Sequence, residues 1–185
     1  MLTDKELNKI KDVQKLRKFL EVESDRGCCL LAVSFLDNEI KLLLENKLVG
    51  TEKFKNNLFS LNGPLGTFSS KIDLSFSIGL IGDDVKGDIH IIRKIRNEFG
   101  HSYDPIDFNS QKIKSRIENL KHNIYKSDEK IIREQFIDAV TLILAEISDT
   151  DYSHSKFSQK GNKRYLDNPK LANFLKKGID KIYNE

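Results

Sequence analysis

The stretch Ser24-Asp25-Arg26-Gly27-Cys28-Cys29-Leu30-Leu31-Ala32-Val33-Ser34-Phe35-Leu36, continued by Ile40, Leu43 and Leu44, decides the fold. Ser24 is a favoured helix N-cap residue, and Asp25 suits the positive end of the helix it opens. Behind this start, Cys28, Cys29, Leu31, Ala32, Phe35, Leu36, Ile40, Leu43 and Leu44 leave no clean polar face. A helix that is apolar nearly all round is surrounded by other elements. The reading therefore places this helix at the centre of an all-α, multi-helix bundle.

The segments on either side supply the surrounding helices. Thr3 followed by Glu6 is a capping box, and Leu7, Ile10, Val13, Leu16 and Leu20 then recur at helical spacing. Thr51 to Leu58 reads as a short helix, and Asn62-Gly63-Pro64-Leu65-Gly66 as a turn. Thr67 or Ser69 opens a segment carrying Phe68, Ile72, Phe76 and Leu80, with Gly82 as its end. Asp83 then caps a helix with Val85, Ile89, Ile92, Ile95 and Phe99 on one face and Gly100 as its stop. Ile113, Ile117, Leu120 and Ile124 follow Pro105. After Ser127 come Ile131, Gln135, Val140, Ile143 and Ile147. No strand pattern of any strength and no repeat interrupts the series. The predicted organisation is a helical bundle over 1–148, a polar linker over 149–167 and a basic helix over 168–185. That last helix starts at Asn168-Pro169 and carries Leu171, Phe174, Leu175, Ile179 and Ile182.

Charge bounds the function. The 185 residues hold 31 basic and 28 acidic side chains, a net +3 that excludes a general polycation and an acidic tail. The balance is uneven. Residues 1–155 hold 23 basic and 25 acidic groups, whereas 156–185 hold eight and three, so a slightly negative body precedes a +5 tail. The two cysteines are adjacent, which disulfide geometry disfavours, so they read as core residues. The N-terminus lacks a signal-peptide pattern, and the apolar stretch Gly27 to Leu36 is far short of the roughly 18 residues a membrane span needs. A soluble cytoplasmic protein without a membrane partner is expected. No spacing of His or Cys suits a metal, and no cofactor motif is present.

Arg96-Asn97-Glu98-Phe99-Gly100-His101 is the strongest chemical candidate. Arg neutralises a phosphate through paired hydrogen bonds, His moves a proton near neutrality, and Asn orients either. On a wheel of about 100° per residue, His101 falls about 140° from Arg96, so the two meet only if the chain turns after Gly100. The ordinary alternative is a part-buried Arg paired with a carboxylate and a His at a helix C-terminus, and on pattern alone it is the stronger. Around this candidate, Glu23 or Asp25 is expected to pair with Arg96. Arg26 opposes the dipole of its own helix, and Arg93 and Lys71 add local charge. Asn62 and Gly63 open a turn whose N–H groups either meet an anion or simply connect two helices, the connector being the more ordinary role.

Three segments together, Glu23-Ser24-Asp25-Arg26-Gly27, Asn62-Gly63-Pro64-Leu65-Gly66-Thr67-Phe68-Ser69 and Ile92-Arg93-Lys94-Ile95-Arg96-Asn97-Glu98-Phe99-Gly100-His101, resemble the mannitol-operon repressor (MltR-like) family. That resemblance covers about residues 20 to 108 and implies an all-helical bacterial protein and a role in transcription control. The Arg96 to His101 element also resembles the Arg-x4-His signature of HEPN domains. This second resemblance implies a homodimeric, metal-independent endoribonuclease of a toxin or phage-defence setting. In it Arg96 would hold the scissile phosphate, His101 would move the proton of 2′-OH attack, and Asn97 would orient. RNA is then the expected partner. For a regulator the expected partner is DNA or another protein, and a catalytically silent interaction module is the third expectation. No helix-turn-helix with a basic recognition helix is found in residues 1–155.

Overall fold

The structure is a computed structural model that describes residues 4–101, 103, 105–123, 131–158 and 168–183. Among these residues it is all-helical: α1 (Asp4–Val22), α2 (Asp25–Lys47), α3 (Glu52–Phe59), α4 (Phe68–Ser77), α5 (Asp83–His101), α6 (Gln111–Glu118), α7 (Ile132–Ser153) and α8 (Pro169–Tyr183). Helix α2 is central. It packs against α1, α4, α5 and α7, while α6 bridges α5 and α7. Its Cys28, Cys29, Ala32, Leu36, Ile40, Leu43 and Leu44 are all buried. They meet Leu16 and Leu20 of α1, Ile72 of α4, Ile89, Ile92, Ile95 and Phe99 of α5, and Phe136, Val140, Ile143 and Ile147 of α7 in one core. Thr3, Ile124 and Ser127 lie outside the described residues, as do the side chains of Glu6, Leu7, Ile10, Leu171 and Ile182.

Local chemistry sets the boundaries. The Ser24 side chain accepts from Gly27 N–H, Thr51 from Phe54 N–H and Thr67 from Ser70 N–H, as N-caps do. Three boundaries differ from the expectation. Helix α4 ends before Gly79, not at Gly82. Gly79 adopts a positive φ of 76°, its N–H donates to Phe76 O, and Leu80 N–H donates to Ser75 O. That paired closure satisfies the last carbonyls and favours glycine. Helix α5 runs through Gly100 to His101. Helix α7 extends through Ser153, so the first residues of the expected linker are helical. There Asp151 approaches Lys47 Nζ at 3.3 Å, and that ammonium also donates to the carbonyls of Asp151 and His154. A buried cation at the α7 C-terminus thus serves its orphan carbonyls. Among the described residues, no helix is long and apolar enough to cross a membrane.

Burial fixes the state of both thiols. Cys28 is pushed up to about 12 by burial, against the opposing pull of Arg133, with Asp25 and Glu23 adding to the rise. Burial likewise raises Cys29, and Arg96 partly offsets it. Both remain protonated at neutral pH and lack the thiolate that alkylation requires. Folded protein at pH 8 is expected to resist iodoacetamide, and both thiols are expected to label once urea unfolds the chain; mass spectrometry reads the difference.

Candidate functional site

Helices α2, α4 and α5 enclose a cavity of about 410 Å³. Leu30, Val33, Ser34 and Asp37 of α2 form one wall. Arg93, Arg96 and Asn97 of α5 form another, and Thr67, Phe68 and Ser69 close it at the start of α4. The α5 side chains reach it because Ile92, Ile95 and Phe99 turn into the core and carry Arg93 and Arg96 along the flank of the same helix. Arg96 is exposed, and among the described residues its side chain makes a long 3.4 Å contact to Asn97 Oδ1. Arg93 is half-buried, and its Nε has no hydrogen-bond partner. Lys71 is buried just behind the wall and pairs with Asp37 at 2.6 Å.

Four of the predicted residues, Lys71, Arg93, Arg96 and Asn97, are thus brought to one place. The others are not. His101 remains in the α5 helix, exposed, five residues beyond Arg96 and so on a different side of it. The turn needed to fold it back does not occur at Gly100. Between them, Glu98 faces α6, where Lys112 at 2.8 Å and Arg116 at 3.0 Å hold its carboxyl below the usual range. Phe99 packs edge-on against Phe108. Within one chain, therefore, Arg96, Asn97 and His101 do not converge.

The Asp25 carboxylate pairs with Arg133 and not with Arg96, and Glu23 meets Arg133 through its backbone carbonyl. The Asp25 carboxylate accepts from Arg133 at 2.5 Å and from Phe108 N–H at 2.9 Å. Arg133 also donates to the carbonyls of Leu20 and Glu23. This clasp ties the α1–α2 junction to α7 across 108 positions of sequence. The Glu23 side chain lies over Gly27, where an added Cβ would come within 2.5 Å of its Oε2. Arg26 is exposed in the first turn of α2. The turn at Asn62 and Gly63 is a connector. Gly63 N–H donates to Ser60 O, Leu65 N–H to Leu58 O and Gly66 N–H to Gly63 O, so these donors are internally satisfied. A Cβ on Gly63 would stand 2.2 Å from Asn57 O, which explains the glycine.

One cluster was not anticipated. His122 lies with Nδ1 2.7 Å from Asp88 Oδ2 and Nε2 2.9 Å from Glu146 Oε1, beside a second cavity of about 690 Å³. Asp88 is 1% exposed and also accepts from the N–H groups of Lys121 and His122. Its sequence signal was an acid on the same face as Val85, Ile89 and Ile92. Burial works against the His122 cation, but the hydrogen bonds to Asp88 and Glu146 outweigh it, and the pKa is raised above the ordinary 6.5. Both ring nitrogens are engaged, so this histidine braces α5, α7 and the segment after α6. Among the described residues, no group of three His, Cys, Asp or Glu side chains is placed to hold a metal ion.

A family model described as "Mannitol repressor" (MtlR) matches residues 7–154. The chain belongs to the MtlR family. A solved structure described as the MtlR–HPr complex from Escherichia coli shares the fold, with a TM-score of 0.65 and 18% identity over 74% of this chain and 98% of that one. A comparison with curated proteins finds no match. The MtlR match ends within one residue of the α7 C-terminus, so α8 lies outside it. The HEPN resemblance receives no support from these comparisons.

Two measurements check the structural roles. Asp25→Ala leaves the Arg133 guanidinium and Phe108 N–H without their acceptor and is expected to cost about 1–3 kcal/mol in urea unfolding. For His122, a raised folded pKa means stabilisation that is complete below the unfolded value and is lost as pH rises through the folded one. The stability difference between the wild type and His122→Gln should therefore shrink from weakly acidic to alkaline pH. A difference independent of pH would contradict the bracing role.

Proposed function

We propose that this MtlR-family chain is a regulator that acts by binding a small protein partner of the HPr kind rather than by reading DNA itself. The observation that carries the reading is the shared architecture with a repressor solved in complex with HPr, whose chain is covered almost completely. Charge agrees with it. Residues 1–155 hold more acidic than basic groups, a poor basis for gripping a phosphate backbone. Helix α5 balances four basic side chains with four acidic ones, has its apolar face committed to α2 and α4, and does not project as a groove-reading helix.

The test is titration of the purified full chain with HPr from the same cell, followed by calorimetry and gel filtration. A saturable complex at micromolar concentration or tighter is expected, together with equal, weak retention of operator and unrelated DNA in about 0.15 M salt. Absence of any HPr complex alongside operator-selective DNA retention would overturn the reading.

A further inference from the structure

The cavity walled by α2, α4 and α5 holds more positive charge than the protein itself neutralises. Asp37 is the sole carboxylate among its described lining residues, and it is committed to Lys71 at 2.6 Å. Arg93 and Arg96 have no ion pair among the described residues. The Arg93 Nε is buried without an acceptor. The rest of the Arg93 side chain lines the cavity beside Arg96, so two guanidinium groups border one space without a carboxylate of their own. Further donors line the same space. Thr67 Oγ1 caps the third amide of α4, Ser70 N–H, at 3.1 Å. The amides of Phe68 and Ser69 stay open at the positive end of the helix.

We propose that this cavity binds the terminal phosphate of a small phosphate monoester. Two uncompensated arginines match a dianion. Three terminal oxygens suit two guanidinium forks and two helix amides better than the two oxygens of a carboxylate do. A terminal phosphate carries close to two charges at neutral pH, whereas a diester carries one, so the two guanidinium groups favour the monoester. Leu30, Val33 and Phe68 give an apolar wall for the organic part, and about 410 Å³ accommodates a small metabolite. The proposal is independent of the protein-partner reading, since it concerns a free ligand and its failure leaves an HPr complex untouched.

Calorimetry and thermal unfolding of the full chain at constant ionic strength test it. The probes are inorganic phosphate and glycerol 3-phosphate, compared with sulfate, glycerate and a short RNA oligonucleotide without terminal phosphates. Saturable binding of the two phosphates, stronger than that of all three comparison ligands, is expected. Arg96→Ala, a change at an exposed position, is expected to weaken it about tenfold or more. Arg93→Lys retains the charge but loses the fork and should weaken it as well, with circular dichroism confirming its fold. Lys94→Ala, an exposed neighbour, should bind as the wild type does. Equal binding of sulfate and phosphate, tighter binding of the oligonucleotide, or unchanged affinity in Arg96→Ala would each overturn the proposal.

Discussion

Helix α2 is surrounded, and the rest of the molecule follows from that. Its buried positions face α1, α4, α5 and α7 in turn, so each of those helices is held by the need to cover it. Burying a single Leu or Ile is worth about 1.5–3 kcal/mol, and α2 alone contributes Leu36, Ile40, Leu43 and Leu44 to the core. The charged groups at its margins are then compelled to find partners within the fold. Asp25 meets Arg133, Asp37 meets Lys71, and Lys47 meets the end of α7. The cavity between α2, α4 and α5 is a consequence of the same packing. It lies where the start of α4 meets the flanks of the other two helices.

The apolar stripes were legible because a helix repeats its faces at a fixed period. The central place of α2, the core face of α5 and the nearness of Arg93, Arg96 and Asn97 on one helix could be read from spacing, whereas Lys71 joins them only through the packing of α4. Termini were less legible, because several glycines compete for each stop. Gly79 takes the positive φ that closes α4, while Gly82 and Gly100 do not act as stops. The fate of Asp25 was not legible at all, because its partner Arg133 lies 108 positions away and no periodicity links the two. The role of His122 is not legible for a similar reason. Its partners Asp88 and Glu146 sit on two other helices, and only the acid on the α5 core face announced them.

The charge map acquires a structural meaning. The net +3 separates into a slightly acidic bundle and a basic C-terminal segment that the MtlR match does not include. Within the bundle, Arg93 and Arg96 of α5 border a cavity whose lining carboxylate, Asp37, pairs with Lys71.

The Arg133 clasp also has a consequence during synthesis. Arg17 and Asp25 near the N-terminus take partners from α7, Asp138 and Arg133. About a hundred residues separate the end of α2 from the end of α7, which a ribosome adds in roughly 5–20 s. Over that interval the nascent chain carries its most apolar helix without one of its principal covers. The cover that α7 gives to α2 therefore forms only after most of the chain has been made.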